Sequence, residues 1–159
     1  MLSIEQSLVD RLPWLAQYPR LRRPMAGMLG RLADEDGFNR VLDRVGAAEG
    51  FDFVDRVLDV LGTSHHVNPG DLENIPVDGP LLVVANHPLG MQDALALLQL
   101  IGSVRRDARI LGNDWLATVP QLGQLLLPVD VFGKGAASRL RGIYRALENG
   151  EALIVFPAG

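Results

Sequence analysis

Apolar residues along this chain follow two rhythms. From Phe51 to Leu61, Val54, Val57, Leu58 and Leu61 fall at i, i+3, i+4 and i+7, which predicts an amphipathic helix stopped by Gly62. Leu140, Ile143, Tyr144 and Leu147 repeat the pattern within Ala136–Glu148, and Asn149-Gly150 ends it. Elsewhere the apolar residues form short unbroken runs bounded by turn residues. Leu81–Ala85, Arg109–Leu111, Leu127–Phe132 and Ala152–Phe156 are such runs and predict buried strands. Ala94–Ile101 is apolar on nearly every side, as a buried helix would be. Trp115–Leu126 predicts a helix or helical turns interrupted at Pro120 and Gly123. Asp36–Val45 predicts a short helix and Asp71–Ile75 a short strand. Residues 3–32 predict helical pieces broken at Pro13, Pro19 and Pro24.

This succession predicts an α/β fold, with a helical N-terminal section (1–62) on a mostly parallel sheet with flanking helices (63–159). At 159 residues a single domain is expected. Hydrophobic residues make up 48% and charged residues 21%, which excludes wholesale disorder. The last strand leads into Pro157-Ala158-Gly159, at the kind of strand end where α/β folds bind ligands. A chain stopping there is expected to be truncated at the C-terminus, leaving the α/β core incomplete.

Charge and cysteine content narrow the partners. The net charge of −4 argues for no nucleic-acid partner. Residues 1–31 carry five arginines against Glu5 and Asp10, a balance of +3, which leaves −7 on the rest. In that segment Trp14 and Tyr18 lie among Arg11, Arg20, Arg22 and Arg23. Aromatics beside cations suit the interface of an anionic membrane; the alternative is a solvated helical hairpin with its aromatics packed inward. No apolar stretch approaches the roughly 20 residues that span a bilayer, so membrane contact is expected to be peripheral. The absence of cysteine excludes disulfides, thiolate nucleophiles and thiolate zinc sites, and fits a cytoplasmic protein. No signal peptide is read at the N-terminus.

The stretch Leu81–Ala94, LLVVANHPLGMQDA, concentrates the chemistry. A strand ends in Asn86-His87-Pro88, passes Gly90 and enters a helix near Asp93. A histidine base needs one ring nitrogen held by an orienting group while the other faces substrate. Asp93 is placed to orient it, in a first turn where the helix dipole favours a carboxylate. The alternative is that His87 merely closes the strand and Asp93 caps the helix.

The surrounding residues resemble the lysophospholipid and glycerol-phosphate acyltransferase superfamily. In it an Asn-His pair after a core strand, followed by an aspartate, forms the acyl-transfer motif. The common form has four residues between histidine and aspartate. The five found here, with NHPLG after the strand, look like the hemolysin-related branch, which includes acyltransferases that make ornithine lipids. RILGNDWLATVPQLGQLLLPVDVFG, from Arg109 to Gly133, resembles the second block, which helps bind the acceptor. Phe156-Pro157-Ala158-Gly159 resembles the third, a phenylalanine–proline–x–glycine turn.

The resemblance implies an O-acyltransferase with a glycerol-phosphate acyltransferase-like fold. His87 would take the proton of an acceptor hydroxyl, which attacks the thioester of acyl-CoA or acyl carrier protein. Asp93 would orient His87 and stabilise the imidazolium. Asn86, Gly90, Pro157 and Gly159 fall in the substrate-binding blocks, and backbone N–H groups near Gly90 and Pro157–Gly159 are candidate oxyanion donors. No bound cofactor and no metal is implied. The expected acceptor is a lysolipid, a lyso-ornithine lipid or lysophospholipid, met at the inner face of the cytoplasmic membrane. Two other functions stay open: a non-catalytic lipid-binding relative, and a thioester or ester hydrolase. No Gly-x-Ser-x-Gly elbow is present, which disfavours a serine hydrolase.

Lys134, the chain's single lysine, sits between Gly133 and Gly135 just before a predicted helix, where free N–H groups suit an anionic headgroup or cofactor phosphate. Arg139 and Arg141 are further candidates, against a solvated helix face. His65 and His66 are adjacent and would point opposite ways on a strand, which argues against a metal site. Asn113-Asp114 is expected to cap the helix that follows.

Overall fold

The computed structural model describes residues 35–129 and 136–157. The chain divides into two compact units, residues 1–46 and 47–159. In the first, α1 spans Glu35–Val45, with Arg44 in the last turn, where a cation is favoured by the helix dipole. The helical pieces expected over residues 3–32 lie outside the described residues.

The second unit carries helix α2 (Gly50–Leu61), helical turn α3 (Pro69–Leu72), strand β1 (Leu81–Val84), helix α4 (Met91–Val104), strands β2 (Arg109–Asn113) and β3 (Leu126–Val129), helix α5 (Ala136–Glu148) and strand β4 (Ala152–Val155). The four strands form one parallel sheet in the order β1-β4-β2-β3. Leu81–Val84 pair with Ala152–Val155, and β4 pairs in turn with Arg109 and Ile110 of β2. β4 is therefore central, and its Ala152, Leu153 and Ile154 are fully buried, as a continuous apolar run in a parallel sheet requires.

The α2 stripe behaves as its spacing predicts. Val54, Val57 and Leu58 are buried, joined by Phe53. Gly62 takes the left-handed conformation at φ 62°, and Thr63 N–H closes back on Leu58 O at 2.9 Å, a Schellman ending. α2 packs on α4. They meet closely at Gly102, where a Cβ would run into the Phe51 ring. Gln99 donates to Asp55 across the same contact at 2.7 Å.

Several boundaries differ from expectation. Asp71–Ile75 is not a strand: Asn68-Pro69 opens a helical turn instead, because proline at the first helical position is pre-set for it. The Asn68 amide then donates to Asp71 at 3.0 Å. α4 begins three residues early, at Met91, and β2 runs two residues longer, to Asn113. Asn113 thus ends a strand, and Asp114 opens a 3-10 segment over Asp114–Thr118. A second 3-10 segment, Pro120–Leu125, is kinked at Gly123 (φ 46°, ψ −123°). The strand expected over Leu127–Phe132 is Leu126–Val129 within the described residues.

Candidate active site

β1 and β4 end side by side, and the site grows from that fact. Beyond the last paired residues, Val84 and Val155, Ala85 N–H still donates to Val155 O at 3.2 Å. Asn86-His87 and Phe156-Pro157 therefore leave the sheet together, at the C-terminal edge where parallel sheets place ligands. The His87 and Phe156 rings stack with centroids 4.3 Å apart and planes inclined by 30°. His87 is half-buried, and its Nδ1 is buried with no hydrogen-bond partner among the described residues.

The loop from His87 to α4 is tight. Gly90 N–H donates to His87 O at 3.4 Å, and Gly90 adopts φ 67°, ψ −127°, which a side chain would resist. Gly90 is the N-cap of α4 and supplies no side-chain cap. Asp93, in the first turn, does that work in reverse: its Oδ2 accepts the Leu89 N–H at 2.6 Å. The helix dipole favours its negative charge there.

The histidine and the aspartate thus stand at the strand end and the helix start, as the spacing predicts. The hydrogen bond expected between them is not formed: the Asp93 carboxylate accepts the Leu89 amide, and the His87 ring lies against Phe156. Sequence reasoning placed Phe156 in a motif without giving it a contact. The contact depends on β4 lying beside β1, which no local pattern in the sequence shows.

Asn86 and Pro157 are exposed beside His87 in the chain's two exits from the sheet, and Gly90 is half-buried. Arg139 lies in α5, and Arg141 on the same helix is exposed. Gly133, Lys134, Gly135, Ala158 and Gly159 lie outside the described residues. His65 and His66 are exposed, and no three acidic or histidine side chains gather to hold a metal among the described residues. Val84 is 60% and Leu89 67% exposed, so large apolar side chains flank Asn86-His87 on both sides along the chain. No described helix is long and apolar enough to cross a membrane.

The model of the family described as acyltransferase matches residues 7–159. A lyso-glycine lipid O-acyltransferase of Bacteroides thetaiotaomicron is 27% identical over 161 residues, covering all of this chain and 57% of that protein. A lyso-glycine lipid O-acyltransferase of Phocaeicola vulgatus is 28% identical over 144 residues, covering 90% of this chain and 51% of that protein. The chain thus spans about half the length of these curated relatives. No solved structure matches.

Proposed function

The chain belongs to the acyltransferase family, and from that premise we propose that it transfers a fatty acyl group to the hydroxyl of a lysolipid. The observation that carries the reading is the meeting of His87 and Phe156 at the ends of β1 and β4, with Asp93 fixed one short loop away. In the proposed reaction His87 is the general base. It removes the acceptor's hydroxyl proton as the oxygen attacks the thioester carbonyl of acyl-CoA or acyl carrier protein, and the thiolate leaves. Asp93 supports the imidazolium electrostatically. Catalytic hydrogen bonds commonly tighten only in the substrate complex, which is where an Asp93–His87 bond is expected to close. Backbone N–H groups around Gly90 are the candidate oxyanion donors.

The relatives' names make a lyso-glycine lipid the first acceptor to try, with lyso-ornithine lipid and lysophospholipid beside it. The exposed Val84 and Leu89 support a lipid approaching His87 over apolar surface. The arginine- and aromatic-bearing residues 1–31 support peripheral attachment to an anionic membrane.

The test incubates the chain with acyl-CoA or acylated carrier protein and each lysolipid, presented in anionic vesicles. Ester-linked diacyl product is expected, falling by about 10²–10⁴-fold in His87→Ala. Undiminished transfer in that variant would sink the base assignment. Thioester loss without acylated lipid would mark a hydrolase, and lipid binding without turnover a binding module. Vesicle sedimentation that survives removal of residues 1–31 would sink the attachment.

A further inference from the structure

We propose that Phe156 is the positioning residue of the base: its ring fixes the plane of the His87 imidazole and supports the positive charge that the ring acquires in the reaction. The proposal rests on the reading of His87 as general base.

A base in a loop needs something to set its ring orientation. A carboxylate on Nδ1 commonly does this. Here Nδ1 has no hydrogen-bond partner among the described residues, and before substrate binds, the nearby carboxylate of Asp93 accepts the Leu89 amide through Oδ2 at 2.6 Å and makes no bond to His87. The contact that does define the imidazole is the face of Phe156, 4.3 Å away between centroids and inclined by 30°. Two rings this close, tilted by 30°, constrain each other's planes.

Phe156 is well placed to act as a fixed wall. It follows β4, whose Ala152, Leu153 and Ile154 are fully buried, and the preceding residue, Val155, is held by the Ala85 N–H at 3.2 Å. The wall thus inherits the rigidity of the central strand, whereas His87 sits in the Asn86–Gly90 loop. The imidazolium that the proposed reaction forms at His87 would lie beside the Phe156 π system, which attracts a cation. The ring contact would therefore support that transient charge, besides orienting the ring.

The test compares Phe156→Leu, which keeps the apolar bulk and loses the π face, with Phe156→Tyr, which keeps the face. Phe156→Met substitutes for the leucine variant if that one does not fold. His87→Ala is measured in parallel. In Phe156→Leu, kcat is expected to fall about tenfold, with KM for donor and acceptor within about twofold of the parent. Phe156→Tyr should recover most of the loss. A second readout needs no turnover. The chain has three histidines, so His87→Ala assigns the His87 ring signals in a proton–carbon NMR spectrum. Their ring-current shift should disappear in Phe156→Leu and persist in Phe156→Tyr.

An unchanged kcat in Phe156→Leu, with His87→Ala inactive, would overturn the proposal and leave the base reading intact. Equal losses in the leucine and tyrosine variants would overturn it in favour of simple packing. Full activity in His87→Ala would remove the base and this proposal together, while the NMR signal would still report whether the rings stack.

Discussion

Where β1, β2 and β4 begin, a buried guanidinium has a partner for every N–H; where β1 ends, a buried imidazole nitrogen has none. Arg105 is the charged residue buried among the described residues, 5% exposed. Its Nε and Nη2 donate to the two carboxylate oxygens of Asp107, each at 2.7 Å. Nη1 donates to Pro76 O at 3.1 Å and Gly79 O at 2.8 Å, and Nη2 also to Gly150 O at 2.5 Å. These five bonds exhaust the guanidinium's donors and tie together the approaches to three strands. At the opposite edge, His87 Nδ1 lacks a partner and Asp93 serves a backbone amide. At the first edge every donor is satisfied. At the second, Nδ1 is unpaired, as is Gln121 Oε1 in the segment before β3, and an unpaired buried polar atom in a native protein calls for an explanation, of which a catalytic role is one.

The contrast is broken most directly at its satisfied edge. Arg105→Met keeps most of the side-chain volume and removes all five bonds. Pro76 O, Gly79 O and Gly150 O lose their donor, and Asp107 loses its counter-charge. Urea denaturation should show a loss of about 3–5 kcal/mol, the cost of breaking a buried charged cluster from one side. At temperatures where the variant is still folded, the His87–Phe156 ring-current signal should remain. Parent-like stability would mean that Arg105 is not the clamp its geometry suggests.

The same contrast explains what could be read in the sequence. The α2 stripe and its Gly62 stop were legible because both are local: four apolar residues at helical spacing and one glycine. The positions of His87 and Asp93 followed from the strand–loop–helix grammar of LLVVANHPLGMQDA. Parallel pairing followed from strand–helix alternation, but the insertion of β4 between β1 and β2 did not, since that order is set by packing across the chain. Arg105, next to Arg106, looks like one more solvated charge. Its carbonyl partners lie 29, 26 and 45 residues away, beyond the reach of any local pattern. The stack on Phe156 is hidden for the same reason. Asp71–Ile75 departs from the expected strand although a local signal exists, the proline at the first helical position.

At the strand ends, the cap that Asp93 makes can be separated from its proposed support of His87. Asp93→Asn keeps an oxygen that can accept the Leu89 N–H and removes the negative charge. The cap should survive, with a stability loss of about 1 kcal/mol or less from the helix dipole. Acyl transfer should fall about a hundredfold, near 2.7 kcal/mol in the barrier, if the carboxylate stabilises the imidazolium of His87. Unchanged transfer with unchanged stability would reduce Asp93 to a cap, and leave Phe156 as the one proposed support of His87.

The smallest effect expected concerns the exposed partner in the Arg105 cluster. Hydrogen bonding from Arg105 holds the Asp107 carboxyl below its ordinary range, against the opposing cost of partial burial. A carboxyl whose folded value is depressed adds stability that is complete above its unfolded value, near pH 4. That contribution is lost as pH falls through the folded value. The Asp107 side chain is 43% exposed, so solvent screening limits the contribution to about 1 kcal/mol or less. Denaturant titrations of the parent and Asp107→Asn at successive pH values should therefore differ at neutral pH, and converge as pH falls below about 4. A gap that stays constant into acid would show that the bidentate geometry, which asparagine cannot reproduce, matters at this edge and the charge does not. A gap of several kcal/mol at neutral pH would place Asp107 beside Arg105 as an equal member of the clamp, and the satisfied edge would then depend on the ion pair as a whole more than on the carbonyls it gathers.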